Sequence, residues 1–257
     1  MKELFEDIIR RTHDLGDFEA FKLVVDNQGQ AMVKTSSKDF SVSMSGKVKP
    51  NLKDFVDVPE EAGKTTIGFS RLGVLSGYLR SPVFNEEGSE LNIGYMDNGT
   101  PREVIFKSSL GHHGTYRMMQ PEIAKRKIRT FSLANGLSDD DFEIIFAPSE
   151  KFLSEFFHFS AIISKFNDSF SLSVEDNTLY MHLGEDDTIK IPVTETNIEN
   201  MSASNSWPVK QFLNILKHVS KDEIDNVLIY VSNQNSLIDI HLETDQALYS
   251  YKLTAGN

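Results

Sequence analysis

The residues with the clearest chemical pattern form a row of cations near the C-terminus. Lys210, Asn214, Lys217 and Lys221 follow one another at helical spacing, which places them on one face of a predicted helix. The 257-residue chain has 38 acidic and 26 basic residues and a formal charge of −12, so a coherent cationic row departs from its composition. Such a row suits a polyanion that is contacted through its phosphates without reading of bases. A solvated lysine face, which is common on surface helices, is the alternative interpretation.

Three further predicted helices carry polar faces with cations. In the helix predicted over 70–80, small residues lie opposite the apolar side and would let a bulky cylinder approach closely. In the first helix, Glu3, Glu6 and Asp7 share the polar side, which weakens the pattern there. The candidate phosphate contacts on or beside these three helices are Arg10, Arg11, Arg71, Arg80, Lys151, His158 and Lys165.

The elements that position these residues repeat along the chain. In the C-terminal third, a helix over 208–219 is followed by three segments of alternating apolar residues, over 227–231, 238–242 and 247–253. Turn-forming residues separate the segments, so this unit is predicted to be one short helix and a three-stranded antiparallel meander. Similar units begin with helices near residues 2, 70 and 150.

Pairing these units predicts the domain organisation. A helix and a meander that are each apolar on one face cannot bury themselves alone, so we pair the first unit with the second and the third with the fourth. The resulting α+β chain has an N-terminal domain over 1–118, a connector over 119–140 and a C-terminal domain over 141–257. The connector holds a proline and a basic run, and we interpret it as a long loop rather than core.

The sequence offers little for catalysis, metals or cofactors. It has no cysteine, no Ser-His-Asp order and no complete phosphate-binding loop around Ala62–Thr66. His112 and His113 would point to opposite faces of a strand, and Asp139–Asp141 is interpreted as a solvated acidic run. We therefore predict a protein that is not an enzyme and has no metal or cofactor. No apolar run is long enough to span a membrane, and the charged N-terminus lacks a signal peptide, so we expect a cytoplasmic protein.

The order of these units resembles a known family. The stretch Phe142–Ile163, FEIIFAPSEKFLSEFFHFSAII, is similar to the start of the second domain of DNA polymerase sliding clamps, which include proliferating-cell nuclear antigen and the clamps of tailed bacteriophages. The stretches Thr66–Met118 and Trp207–Leu253 resemble the second and final clamp repeats. Residues 118–140 stand where clamps have their interdomain connector. The lack of cysteine and the abundance of Phe, Asn and Ser favour a viral or phage member.

The resemblance implies a ring. Three copies would form a closed homotrimer lined by the four helices of each chain, with strands outside and joined across subunit edges. Duplex DNA would pass through the hole without sequence specificity, facing the helical cations. The partners would be DNA polymerase and a clamp-loader ATPase, and a viral member would act in the host cytoplasm. A non-enzymatic, β-rich viral structural or assembly protein is the alternative, and an enzyme with an unrecognised pocket is a second rival.

The resemblance also implies a docking site for partner peptides. In clamps, a short peptide binds an apolar cleft beside the connector and the C-terminal tail. The residues that would form this cleft are Met118, Pro121, Ile123, Ile128, Phe131, Tyr251 and Leu253. An apolar connector residue could equally anchor its own loop. The acidic C-terminal extension usual in the family does not follow Leu253.

Overall fold

The computed structural model divides into two compact units. Residues 1–38, 44–130 and 245–248 form the first unit, and residues 39–43, 131–244 and 249–257 form the second. The structure describes residues 1–129, 139–163, 165, 167–184, 188–219 and 221–256.

The N-terminal half of the chain contains three α-helices and seven strands among its described residues. Strands β4-β1-β2-β3 are neighbours in that order, and β5-β6-β7 form a separate three-stranded sheet. The elements are α1 (Lys2–Arg10), β1 (Ala20–Asp26), β2 (Ala31–Ser36), β3 (Val42–Val48), β4 (Lys64–Ser70), α2 (Leu72–Leu79), β5 (Glu90–Tyr95), β6 (Pro101–Lys107), β7 (His113–Arg117) and α3 (Pro121–Lys127).

The C-terminal half contains two α-helices and eight strands among its described residues. Strands β11-β10-β9-β12 form one sheet, and β15-β14-β13-β8 are neighbours in that order. The elements are β8 (Ile144–Phe146), α4 (Glu150–Ile163), β9 (Ser169–Glu175), β10 (Thr178–Leu183), β11 (Ile189–Glu195), β12 (Trp207–Pro208), α5 (Val209–Lys217), β13 (Val227–Ser232), β14 (Leu237–Glu243) and β15 (Ala247–Thr254).

The fourfold repetition predicted from the sequence is visible in this order of elements. Each of the helices α1, α2, α4 and α5 is followed by three strands, and the last three helices are each preceded by one strand. The preceding strand joins the meander of another repeat: β4 pairs with β1, β8 with β13, and β12 with β9. This exchange of strands links the repeats in pairs.

Alternation of apolar residues places one face of each sheet in the core. In β1, Phe21, Leu23 and Val25 are each 0% exposed. Phe21 stacks on Phe69 with ring centroids 4.5 Å apart, and Phe5 of α1 lies 5.5 Å from the same Phe69 ring. The residues between them in β1 therefore lie on the opposite face of the sheet.

The turns that the sequence predicts at Asp97-Asn98-Gly99 and at Glu175-Asp176-Asn177 form hairpins. The Asp97-Asn98-Gly99 turn joins β5 to β6, with Gly99 at φ 75°. Asp176 and Asn177 join β9 to β10 with φ of 48° and 63°, the left-handed conformation that a two-residue hairpin loop requires.

Three local features differ from expectation. Trp207 and Pro208 form strand β12, so α5 begins at Val209. The alternation of Phe40, Val42 and Met44 predicts that Phe40 lies in a strand, but Phe40 is 44% exposed with φ 59° and precedes β3. The expected connector contains helix α3, whose Ala124 is 0% exposed.

Helix α3 lies against β4 and β1 because Gly68 leaves room for it. A Cβ atom at Gly68 would be 2.6 Å from the Cβ of Ala124, closer than side chains approach. The Met119 N–H donates a hydrogen bond to the Gly68 carbonyl at 2.8 Å. Residues 121–128 are therefore part of the packed first unit rather than an extended loop.

None of the described helices combines the length and apolar character needed to cross a bilayer.

Candidate nucleic-acid interface

Helices α4 and α5 of the second unit pack together through aromatic side chains. The rings of Phe156 and Phe212 meet edge to face at 5.4 Å, and Phe212 lies 5.0 Å from Phe170 of β9. These residues form the buried faces of α4 and α5, and exposed residues lie on the opposite faces of both helices.

The accessible face of α5 carries the predicted cationic row. Lys210 and Lys217 are exposed, and Asn214 between them is half-buried. Within the described part of the chain, neither lysine is within ion-pair distance of a carboxylate. Both ammonium groups are therefore available to an external anion. The side chain of Lys221 lies outside the described residues.

The cations of α4 are less concentrated. Lys151 is 79% exposed, with its Nζ 3.9 Å from Glu155 Oε1. His158 and Lys165 are also exposed, but Ile162 on the same helix is 46% exposed. The α4 surface therefore mixes cationic, acidic and apolar groups.

In the first unit, α1 packs beside α2, and their cations lie among carboxylates. Arg80 Nη2 is 2.5 Å from Asp14 Oδ2. Arg10 and Arg80 line a shallow cavity of about 480 Å³ together with Glu6 and Asp7. The charges of this surface are largely balanced, as the acidic residues of the first helix indicated.

The expectation for Arg11 is corrected by its burial. Its side chain is 1% exposed, and its Nε lies 3.5 Å from Asp7 Oδ1. A guanidinium enclosed in this way cannot reach a phosphate on the surface.

Arg71 precedes α2 in a left-handed conformation with φ 53°. Its Nη2 donates a hydrogen bond to the Arg117 carbonyl at 3.3 Å, and its guanidinium lies 6.0 Å from the centre of the Tyr116 ring. The Tyr116 hydroxyl accepts a hydrogen bond from the Ser70 N–H at 2.9 Å, and burial raises the pKa of Tyr116 to about 12. Arg71 remains exposed and is therefore held at the start of α2 without being enclosed.

The outer face of α2 carries small residues, as the sequence predicted. Gly73 and Gly77 are exposed, and a Cβ at Gly77 would meet no atom within 4 Å. Val74 on the same side is 48% exposed. A large ligand can therefore approach this helix closely.

Some residues of the predicted peptide site are brought together in the first unit. Met118 and Pro121 line a pocket of about 200 Å³ with Met96, Arg102 and Arg117. Ile123 is half-buried. The prediction for Ile128 is corrected, because its side chain is 3% exposed and does not present a surface to a peptide. Arg102 was not predicted as a site residue, although its position three residues after the Asp97–Gly99 turn could have indicated a surface cation.

Two other members of the predicted peptide site are corrected. Tyr251 and Leu253 are 1% and 0% exposed, because they lie on the core face of β15 with Ala247 and Tyr249. Side chains buried in this way do not present a surface to a peptide. Phe131 lies outside the described residues.

The second unit also contains a buried carboxylate, Asp239 of β14, which is 3% exposed. Its Oδ2 lies 3.1 Å from Lys252 Nζ and 3.3 Å from His241 Nε2, and its Oδ1 accepts a hydrogen bond from the Ser250 hydroxyl at 2.7 Å. Burial by itself would raise the pKa of Asp239, but these partners hold the pKa below its ordinary value of 3.8. The group stays charged and stabilises the pairing of β14 with its neighbours.

Across the part of the chain that the structure describes, no three His, Asp or Glu side chains are grouped closely enough to hold a metal ion.

No family model and no curated protein matches this chain. Solved structures match along its whole length. They include proliferating cellular nuclear antigen from Entamoeba histolytica, with 15% identity, a TM-score of 0.63 and coverage of 100% of this chain and 96% of that one. The same protein from Thermococcus kodakaraensis has 13% identity, a TM-score of 0.67 and coverage of 100% and 97%. The PCNA2–PCNA3 complex from Sulfolobus tokodaii has 13% identity, a TM-score of 0.61 and coverage of 99% and 96%.

These similarities define the class of fold. The α+β clamp fold predicted from the order of repeats is confirmed. The chain has the fold of proliferating-cell nuclear antigen at sequence identities of 13–15%. The viral origin suggested by composition stays a prediction.

Proposed function

We propose that this protein is a sliding clamp, a non-enzymatic ring that encircles duplex DNA and tethers a DNA polymerase and other replication proteins to it. The observation that carries the proposal is similarity of fold over 96–100% of this chain and of each clamp chain compared. A clamp needs no catalytic group, because a closed ring stays on DNA through topology rather than affinity.

The exposed helical cations are the proposed DNA contacts. Lys210 and Lys217 are the main candidates, since they are exposed and form no ion pair within the described residues. Contacts of this kind are weak and independent of sequence, which permits sliding. The further proposed contacts, each exposed or half-buried where its side chain is described, are Arg10, Arg71, Arg80, Lys151, His158, Lys165, Asn214 and Lys221.

Open sheet edges support assembly into a ring. In the described residues, β7 pairs only with β6, and β11 pairs only with β10. Unpaired strand edges readily add a strand from another chain. An edge of the β5-β6-β7 sheet in one copy and β11 in the next would give a head-to-tail contact, the kind that closes rings. We propose a homotrimer with two domains per chain, over 1–118 and 141–257, and a separate clamp-loader ATPase that opens it.

A topological retention assay tests the proposal. The protein is diluted until its subunits separate and is then concentrated in the presence of nicked circular DNA, so that rings assemble around the duplex. We expect the protein to co-elute with the circle at a salt concentration that abolishes simple ionic binding, and to be lost when the circle is cut. Equal retention on circular and linear DNA, or retention on neither, would contradict encirclement.

A further inference from the structure

The face of β1 and β2 that points away from α1 carries a second group of cations. Lys22 of β1 and Lys34 of β2 are direct cross-strand partners in the antiparallel register. Both are half-buried, and the side chains on the other face of β1 are enclosed against α1. This group therefore lies on the opposite side of the sheet from the proposed DNA contacts of the first unit.

Helix α3 adds a third lysine to this group. The Lys22 Nζ donates a hydrogen bond to the Ile128 carbonyl directly after α3 at 2.7 Å, and Lys125 lies one helical turn earlier. Burial, and then the charges of Lys34 and Lys125, lower the pKa of Lys22. We call Lys22, Lys34 and Lys125 the outer lysine cluster.

Among the described residues, few carboxylates form ion pairs with the outer lysine cluster. Lys125 has an ion pair with Glu122 at 2.9 Å, whereas Lys22 and Lys34 form none among the described residues. Like charges placed directly opposite on neighbouring strands are destabilising. Lys22 and Lys34 nevertheless occupy such a pair of positions in this chain.

The same face offers an apolar pair next to the lysine pair. Val24 and Met32 are cross-strand partners two residues along from Lys22 and Lys34, so they share this face, and both are half-buried. A ligand lying along the hairpin would meet two cations and then two apolar side chains. A nucleic acid backbone would use only the cations, whereas a peptide with alternating acidic and apolar residues would use both pairs.

We propose that the outer lysine cluster, together with Val24 and Met32, is a docking surface for an acidic, apolar-containing segment of a partner protein. The proposal does not depend on encirclement of DNA, because the isolated protein would bind the segment. It also concerns different side chains from the pocket lined by Met118 and Pro121.

Binding of a short fluorescein-labelled peptide in which Glu alternates with Leu tests the proposal by fluorescence anisotropy. We expect saturable binding to the wild-type protein that weakens as salt rises. Binding to K34E/K125E should be at least about tenfold weaker, because two attractive charges become repulsive. Lys107 is exposed on β6 of the separate sheet, so K107E should bind like the wild type. The variant V24S/M32S should also bind the peptide more weakly.

A thermal denaturation experiment separates this role from a structural one. Lys34→Glu alone should raise the melting temperature, because it replaces the repulsion from Lys22 with attraction, while it weakens binding of the peptide. A structural role for Lys34 predicts a lower melting temperature instead. Absence of saturable peptide binding, or equal binding by wild type and K34E/K125E, would overturn the proposal. Tighter binding of a single-stranded oligonucleotide than of the peptide at this cluster would assign the surface to nucleic acid and overturn it as well.

Discussion

Neutralising the two exposed lysines of α5 is the perturbation that bears most directly on the proposed DNA surface. In K210Q/K217Q, two cations without a described carboxylate partner are replaced by neutral residues of similar length and helix propensity. Since both side chains are exposed and point away from the Phe156–Phe212 contact, the fold should be retained.

The magnitude follows from the release of counterions. Each lysine that neutralises a phosphate contributes about 0.9 to the slope of log Kobs against log salt. The double variant should therefore lower the slope by about 1.8 when one protomer contacts the duplex, and by more when several do. Between about 50 and 200 mM salt, the wild type should lose about twelvefold more affinity than the variant.

Fluorescence anisotropy of a labelled duplex at a series of salt concentrations measures these slopes. The matched control is K64Q/K107Q, which removes the same charge from exposed lysines on β4 and β6. We expect its slope to equal that of the wild type, and circular dichroism should show all three proteins folded alike. If K210Q/K217Q and the control have the same slope, the α5 lysines do not face DNA.

Four further substitutions test the packing and the buried carboxylate described above. Gly68→Ala should destabilise the protein by about 1–3 kcal/mol, because the added methyl group would overpack the contact with Ala124. Gly77→Ala should stabilise the protein by about 0.4–1 kcal/mol, because no atom lies near that position. If thermal denaturation shows stability changes of the same sign for both variants, the placement of α3 against Gly68 is wrong. Asp239→Asn should cost about 2 kcal/mol near pH 7. The Asp239 carboxylate stabilises the fold at pH values above its ordinary pKa, and this contribution is lost as pH falls through the lowered pKa. The free energy of unfolding of the variant, measured in urea, should therefore lack this loss at acid pH. If the free energies of the wild type and the variant change in parallel with pH, the ion pair does not contribute to stability. Phe156→Ala should lower the free energy of unfolding by about 3–5 kcal/mol, because the side chain is buried. Unfolding in urea can be followed by the fluorescence of Trp207, the single tryptophan. A change below about 1 kcal/mol would show that Phe156 is not central to the core.

The helical and strand periodicities were sufficient to predict the repeats and the α5 surface. In α5, apolar residues at Val209, Phe212, Leu213 and Leu216 define a core face, so Lys210 and Lys217 had to lie on the other side. The sequence could not show which cations have partners, because the ion pair between Arg80 and Asp14 joins residues 66 positions apart.

Two wrong predictions, the peptide-site residues of β15 and the connector as a long loop, could have been avoided from the sequence. Tyr251 and Leu253 belong to the same alternation as Ala247 and Tyr249 that predicted β15, and this alternation already places them on the core face. Pro121 at the start of α3, with Ala124 and Ile128 four residues apart, is a helical pattern. The burial of α3 was not predictable, because it depends on the absence of a side chain at the distant Gly68.

The outer lysine cluster could also have been found earlier. The turn between β1 and β2 fixes the hairpin register, with Asp26 Oδ1 accepting hydrogen bonds from the N–H groups of Gln28 and Gln30 at 2.9 Å. That register places Lys22 opposite Lys34. The contribution of Lys125 required the structure, since it comes through packing of α3.

The central claim is that copies of this chain close into a ring. Its most direct test is the mass of the purified protein in solution, measured over a range of concentrations by light scattering, together with electron microscopy of the same sample. We expect a species of about 87 kDa, three times the 29.0 kDa chain, which appears in projection as a ring with a hole wide enough for duplex DNA. A 29.0 kDa monomer that persists at the highest concentration, or an oligomer without a central hole, would contradict it.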